Sequence, residues 1–324
     1  MDKDSVSIVA NIKTMTPTYS IIIPHKGIPD LLMRCLRSIP VSEDIQVIVV
    51  DDNSVGADTY LERYSELSRP YLEFVRTTKG GGAGYARNVG LEHAKGKWLL
   101  FADADDFFVE DMHDIISSYV DSEADVIYFK NKAVLSENIN IESNRCSWMN
   151  RKIDQCLKDG DEWPVRFKLF VPWAKMVKRD LVVKYNIRFD EVVYSADVYF
   201  SMLVGYHAGI IKVANITLYV VTFRPKSLSA EFCTKPGELK TRAEVFFREE
   251  KFLIRHNICR VRSMRKYLLI MLKKDHSLFK YYFYKLDELY PSKLLALLDI
   301  SKGTSLFIKI KLYIYSLLIW ARIL

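Results

Sequence analysis

Along the first 130 residues, short apolar runs alternate with stretches in which apolar residues recur at helical spacing. Residues 20–23 (Ser-Ile-Ile-Ile), stopped by Pro24, read as a buried strand. Leu31, Leu32, Cys35, Leu36 and Ile39 then mark one face of a helix that ends at Pro40. A second buried run, Ile45 to Val50, stops at Asp51-Asp52-Asn53-Ser54. The pattern predicts a helix around 57–68, a strand at 71–76, and a helix leading out of Gly80-Gly81-Gly82-Ala83-Gly84 to end near Gly96. Trp98-Leu99-Leu100-Phe101 reads as a fourth strand, followed by a helix over roughly 109–121 and a strand at 125–129. Strands that are apolar on both faces and alternate with helices predict an α/β fold, a mainly parallel sheet flanked by helices.

Such sheets bind ligands outside the carboxyl ends of their strands, and the polar clusters fall there. Asp51 and Asp52 follow the second strand, and Asp103, Asp105 and Asp106 follow the fourth. Two carboxylates about 5 Å apart repel by roughly 3 kcal/mol at an effective dielectric near 20. The second cluster is therefore either a solvated acidic turn leading a helix or a site for a hard divalent cation, Mn²⁺ or Mg²⁺. Such ions complete their shell with substrate phosphates, so a nucleoside diphosphate is the natural partner.

The loop from Lys79 to Gly84 matches neither GxxxxGK[ST] nor GxGxxG. It reads as a flexible loop beside the donor, with Arg87 behind it either as a bidentate phosphate donor or in a structural ion pair. Asp197, in Tyr194-Ser-Ala-Asp-Val-Tyr-Phe200, has apolar neighbours on both sides. It reads either as a carboxylate at the mouth of a partly dry pocket, suited to a general base, or as a helix N-cap.

Beyond residue 130 the pattern weakens. Residues 131–165 look irregular and polar, order returns at Pro172-Trp173-Ala174-Lys175, and 181–220 mixes short helices and strands. From about 238 the chain reads as helical. Here composition changes the picture. The 324 residues carry a net charge of +7, but residues 240–324 hold 18 basic and 7 acidic side chains, and the first 239 hold 29 and 33. The positive excess thus sits in a tail rich in aromatics, as in Lys280-Tyr-Tyr-Phe-Tyr-Lys285. Leu312 to Ala321 is too short a run to span a bilayer. It is either a packed core helix or an interfacial one against an anionic membrane surface, and the period-two alternation of Ile308 to Tyr315 leaves even helix open. Five cysteines without a CxxC pair point to buried thiols in a reducing compartment. Met1-Asp2-Lys3-Asp4 opens no signal-peptide pattern, so a cytoplasmic location is expected, with peripheral attachment to the inner face of the membrane.

Taken in order, Ser20-Ile-Ile-Ile-Pro24, Val49-Val50-Asp51-Asp52-Asn53-Ser54, Gly84-Tyr-Ala-Arg87-Asn88-Val-Gly90, Phe101-Ala-Asp103-Ala-Asp105-Asp106, Pro172-Trp173-Ala-Lys175, Arg188-Phe-Asp-Glu191, Asp197 and the stretch Tyr219 to Ser227 resemble a family 2 glycosyltransferase of the GT-A fold, of the bacterial polysaccharide type. The resemblance covers roughly residues 18–230. It implies an inverting, metal-dependent enzyme that moves a sugar from a nucleotide-diphosphate donor, UDP-linked, to a hydroxyl of a glycan or lipid-linked acceptor in cell-surface polysaccharide synthesis. By the same resemblance Asp103 and Asp105 match the DxD metal motif. Pro24, Asp51, Asp52, Lys79, Arg87 and Asp103 line the donor, Asp51 or Asp52 at the uracil or ribose. Asp197 is the catalytic base, with Glu191 as fallback. The chain departs from the family's Glu-Asp pair at Ala196. That departure keeps a second reading in view, a non-catalytic scaffold or degenerate nucleotide-sugar-binding protein.

The expected organisation is an N-terminal extension (1–17), a glycosyltransferase domain (18–237) and a basic helical region (238–324). The domain divides into a nucleotide-binding half of about 18–130 and an acceptor half of about 131–237. A dinucleotide oxidoreductase is excluded because Pro24-His25-Lys26-Gly27 stands where its glycine fingerprint belongs. No nucleic-acid motif accompanies the basic tail, so nucleic acid is not an expected partner.

Overall fold

The computed structural model describes residues 5–9, 16–56, 71–224 and 237–320. The chain divides into two compact units, Met1–Phe232 and Cys233–Leu324.

In the first unit, ten strands form one sheet: β1 (Ser5–Val9), β2 (Tyr19–His25), β3 (Ile45–Asp51), β4 (Leu72–Thr77), β5 (Trp98–Phe101), β6 (Phe107–Phe108), β7 (Val126–Leu135), β8 (Glu142–Ser143), β9 (Lys175–Lys178) and β10 (Ile211–Phe223). Their order is β1-β4-β3-β2-β5-β9-β7-β10-β6, with β8 on β7. The helices are α1 (Pro29–Arg37), α2 (Gly82–His93), α3 (Met112–Ser117), α4 (Ser147–Asp159), α5 (Trp163–Lys168), α6 (Arg179–Lys184) and α7 (Ala196–His207).

The apolar runs become strands because their side chains alternate between two covered faces. All four positions of β5 are buried, as are all but one of β2 and of β3, which leaves no solvated face. β2 pairs in parallel with β3 and β5, β3 with β4, and β7 with β10. Parallel pairing aligns the carboxyl ends of β2, β3 and β5 on one edge, so His25 lies opposite Asp51 and Ile22 opposite Phe101.

The sheet departs from the expected parallel pattern in its second half. β9 inserts antiparallel between β5 and β7, and register shifts break β10 between Ala214 and Tyr219. Extra residues of this kind bend a strand. The sheet curls into a half-barrel rather than spreading open. The bent end of β10 turns toward the acidic turn after β5, where Tyr219 pairs with Phe108.

Several element boundaries also differ. Pro29 starts α1 at its first turn, where a missing N–H costs nothing. The helix predicted over 109–121 is only Met112–Ser117. The strand expected at 125–129 runs on to Leu135. The stretch 131–165, expected to be irregular, holds α4, whose Met149, Ile153 and Cys156 form a buried stripe. The helix around 57–68 lies outside the described residues.

The second unit is helical: α8 (Glu238–Arg255), α9 (Met264–Lys274), α10 (His276–Tyr284), α11 (Lys293–Ser301) and α12 (Leu306–Trp320). Its own core gathers Phe247, Leu268, Met271, Phe279, Ile300 and Leu312. Asp275 and Ser292 cap α10 and α11 by accepting from the N–H groups of Leu278 (2.9 Å) and Leu295 (3.3 Å). The period-two stretch 308–315 is part of α12, because helical pairing buries Leu312 and Ser316 together on one side. No helix among the described residues is long and apolar enough to cross a membrane. Cys35, Cys146 and Cys156 are buried free thiols, Cys259 is half-buried, and Cys233 lies outside the described residues.

Candidate active site

The site is built at the carboxyl edge of β2, β3 and β5. Asp51 ends β3 and its carboxylate is fully engaged, facing the His25 Nδ1 at 2.7 Å and accepting from the Ser54 N–H and hydroxyl, both at 2.7 Å. Burial raises its pKa, but the His25 and Ser54 hydrogen bonds outweigh that and hold it below the ordinary carboxylate range. Asp52 is buried too. It accepts from the backbone N–H groups of Gly81 (2.7 Å) and Gly82 (3.0 Å) and from Lys26 Nζ (3.2 Å). Asp52 thus pins the glycine-rich loop onto the strand edge, while Asp51 holds His25 and the Ser54 turn. Lys79, on that loop, is exposed with its Nζ 5.7 Å from the Tyr85 ring centre. Pro24 lies half-buried beside Val50.

The loop feeds α2, whose first turn touches the segment before Asp197. A Cβ on Gly84 would stand 2.0 Å from the Asp190 carbonyl oxygen, so only glycine permits this approach. One turn later, Arg87 donates to Asp103 Oδ1 at 2.5 Å and lies 5.4 Å from the Phe189 ring centre. Asn88 exchanges hydrogen bonds with the Phe189 backbone (2.8 and 3.0 Å) and donates to Glu191 Oε1 at 3.2 Å. Helix α2 therefore fastens the acidic turn after β5 to the 189–191 segment.

Three carboxylates in that turn have three environments. Asp103 and Asp105 are part-exposed and each meets one arginine, Arg87 and Arg224 respectively, the latter at 2.6 Å. Asp106 is buried and accepts from the Thr222 N–H of β10 at 2.7 Å. Burial, with Asp103 and Asp105 beside it, pushes its pKa well above the usual carboxylate range. Arg34 of α1 donates to the Asp105 carbonyl oxygen (2.5 Å), and the Tyr219 hydroxyl accepts from the Asp103 N–H (2.8 Å). Among the described residues, the Nε atoms of Arg34, Arg87 and Arg224 are buried without a hydrogen-bond partner. Buried donors in that state are rare.

Asp197 lies in the first turn of α7 and is half-buried. Burial raises its pKa, Arg87 and Lys175 oppose the rise, and Asp103 adds to it. The fold therefore brings Arg87, Asp103, Lys175 and Asp197 into one electrostatic neighbourhood. Lys175 donates to the Leu169 carbonyl oxygen at 2.6 Å, and burial brings its amine down to about 7, against the pull of Asp197. Backbone strain collects here. Ala174 (φ 54°) precedes Lys175 and Ser195 (φ 63°) stands two residues before Asp197. Left-handed backbone disfavours residues with a Cβ, and such positions cluster at functional sites.

The sequence from residue 20 to 184 matches the model described as "Glycosyl transferase family 2". The chain belongs to this family. Among curated relatives of the family 2 chain, the glycosyltransferase EpsJ of Bacillus subtilis is 26% identical over 69% of this chain and 66% of its own length. The glycosyltransferase YibD of Escherichia coli is 23% identical over 58% of each. The chain thus spans less than two thirds of the length of either. Staphylococcus aureus TarS 1-349 in complex with UDP-GlcNAc superimposes with a TM-score of 0.55 at 20% identity, over 90% of this chain and 82% of that one. The mannosyltransferase PcManGT from Pyrobaculum calidifontis, in complex with GDP-Man and Mn²⁺, does so at 0.52 and 19%, over 96% and 82%.

Within the family 2 frame, the donor chemistry of Asp103 and Asp105 fits a hard divalent cation. Among the described residues no three His, Cys, Asp or Glu side chains are grouped to hold a metal alone. Mg²⁺-type ions, however, use one or two carboxylates and fill the remaining positions with substrate phosphates and water. Sequence reading gave no role to Arg34, Asn88, Thr222 or Arg224, since each acts across 70 or more residues of chain.

Proposed function

We propose that the chain is a nucleotide-sugar-dependent, inverting glycosyltransferase that moves a sugar from a UDP donor to a hydroxyl of a glycan or lipid-linked acceptor in cell-surface polysaccharide synthesis. The observation that carries this reading is the Arg87–Asp103 pair, next to Asp105 at the end of β5 and within electrostatic reach of Asp197, in a family 2 chain. The nucleotide-sugar complexes of its structural relatives support it.

In this reading Asp103 and Asp105 hold a divalent cation, Mn²⁺ or Mg²⁺, which when bound supplies positive charge to the departing diphosphate. Arg87 fixes the Asp103 carboxylate in place. The Asp51–His25–Ser54 and Asp52–Gly81–Gly82 contacts hold the loops that face the nucleotide, between Pro24 and Lys79. Asp197 accepts the proton of the acceptor hydroxyl as that oxygen attacks the anomeric carbon from the face opposite the leaving group. A carboxylate raised by burial is a stronger base than one in water. Ala196 contributes no carboxylate, so the base is Asp197 alone.

The test is release of UDP from a panel of UDP-sugars with candidate acceptors, with Mn²⁺ and Mg²⁺ compared. Turnover that disappears in Asp197→Asn while UDP affinity persists supports the reading. UDP binding with no turnover for any donor would favour the scaffold alternative.

For the second unit we infer peripheral attachment to the anionic inner face of the cytoplasmic membrane. The specific observation is α12, which is apolar on two opposite sides. Leu312 faces the core, while Leu306, Ile310, Tyr313, Ile314 and Leu317 form an exposed stripe beside the exposed Lys309. A helix of this composition, in a unit rich in lysine and arginine, suits a lipid interface.

A further inference from the structure

We propose that Arg224 is a resident counter-cation at Asp105, which a divalent ion must displace to enter the acidic pair. This rests on the metal-binding reading of Asp103 and Asp105 given above.

The two arginines that neutralise the pair are held very differently. Arg87 is 6% exposed, lies against the Phe189 ring and projects from the middle of α2. It is a fixed part of the wall. Arg224 follows the last residue of β10, and its side chain is 36% exposed. Its bond to Asp105 Oδ2 is 2.6 Å long, and its buried Nε has no partner among the described residues.

A guanidinium carries a fixed positive charge, so Arg224 competes with an incoming cation for the Asp105 carboxylate. A part-exposed single ion pair is weak, and a doubly charged ion can outcompete it. Asp103 keeps Arg87 throughout, so the exchange takes place on Asp105 alone. The bend of β10 that carries Thr222 to Asp106 and to the Asp105 carbonyl oxygen also places Arg224 at the acidic turn. By linkage, whatever draws Arg224 away from Asp105 tightens the metal, and metal entry releases Arg224 to the same extent.

The experiment titrates Mn²⁺ calorimetrically into the full chain without nucleotide, for the wild type, Arg224→Gln and Arg224→Lys. UDP is titrated in parallel at saturating Mn²⁺. Mn²⁺ affinity tightened about five- to tenfold in Arg224→Gln, less so in Arg224→Lys, and lost again in Arg224→Gln/Asp105→Ala, is the expected result. Melting temperatures within a few degrees of the wild type show that the variants are folded. Unchanged or weaker Mn²⁺ affinity in Arg224→Gln, with UDP still binding the wild type in Mn²⁺, overturns the role of Arg224 and leaves the donor reading standing. Absence of both Mn²⁺ and UDP binding in the wild type overturns the two together.

Discussion

Arg87 and Asp103, sixteen residues apart, meet at 2.5 Å, with the guanidinium buried and the carboxylate part-exposed. The pair joins α2 to the acidic turn, and its energetics are lopsided. Removing the arginine leaves Asp103 next to Asp105 and Asp106 with less counter-charge. Arg87→Met should therefore cost about 1–3 kcal/mol of stability and weaken UDP binding at saturating Mn²⁺. Arg87→Lys should recover only part of both, because an ammonium lacks the planar fork. Chemical denaturation with UDP calorimetry checks this, and a lysine variant equal to the wild type would count against a directional role for the guanidinium.

Asp106 and Asp105 are adjacent but should separate cleanly by mutation. Asp106 is committed to the Thr222 N–H, so Asp106→Asn keeps an acceptor in place and should fold and bind UDP nearly normally. Asp106→Ala orphans that N–H and should lose about 1–3 kcal/mol. Asp105→Ala should leave stability close to wild type and remove metal-dependent UDP affinity. Parallel melts and titrations of the three variants provide the comparison. Loss of UDP binding in Asp106→Asn would place Asp106 in the ligand site itself.

Asp197 and Lys175 give opposite pH signatures. The folded pKa of Asp197 is raised above the unfolded value near 3.8, so its contribution favours the fold below that value and is lost as pH rises through the folded pKa. Asp197→Asn should abolish transfer, yet its melting temperature relative to wild type should rise with pH from about 4 upward. Lys175 is lowered to about 7 from 10.5, so its contribution grows as pH rises between those values and is lost as pH falls through 7. Lys175→Met should consequently be more stable relative to wild type at pH 6 than at pH 10. Because charged Lys175 favours ionised Asp197, the same variant should move the acidic limb of the rate profile to higher pH. Melting curves across pH 4–10, with rates over the same range, test both signs.

Gly84→Ala tests the contact between α2 and the 190 segment. The added methyl would overlap the Asp190 carbonyl, and the backbone on either side must move. A loss of about 1–3 kcal/mol is expected, together with a fall in turnover larger than the fall in UDP affinity, since the displaced segment leads to Asp197. Equal losses in both would mean that the donor side moves instead.

The first half of this fold was legible because its physics is local. Ile21, Ile48 and Leu100 sit in runs apolar on both faces, and only buried parallel strands use such runs at that length. The aspartates at strand ends were legible for the same reason, since topology places strand ends at ligands. What was not legible was what the aspartates touch. Asp51 and Asp52 read as open donor contacts, yet most of their oxygen capacity goes to His25, Ser54, Gly81 and Gly82. Arg224 lies in the stretch Tyr219 to Ser227 that carries the family resemblance, but its role was not legible, because that comes from a bend in β10 that depends on pairing with β7 and β6. The helical spacing of α4 was visible only once its buried stripe had a sheet to face.

The outer face of α12 gives the last prediction. Leu306, Ile310, Tyr313, Ile314 and Leu317 recur at three- and four-residue intervals, and Leu306 and Tyr313 are 72% and 63% exposed. Leaving such a stripe in water is unfavourable at roughly 25 cal/mol per Å² of apolar surface, so something of matching chemistry should cover it. Lys309 and the surrounding excess of basic residues argue for an anionic lipid surface, where side chains of this kind sink their apolar parts and keep their charges in water. Ile310→Glu with Ile314→Glu should leave the helical core intact, because both positions face outward, and should abolish flotation with vesicles containing anionic lipid. Binding of the wild type should weaken as salt is raised, following the electrostatic share of the attraction. Wild-type protein that stays with the soluble fraction but dimerises with concentration, and loses that dimer in the double variant, would show that a second copy covers the stripe instead.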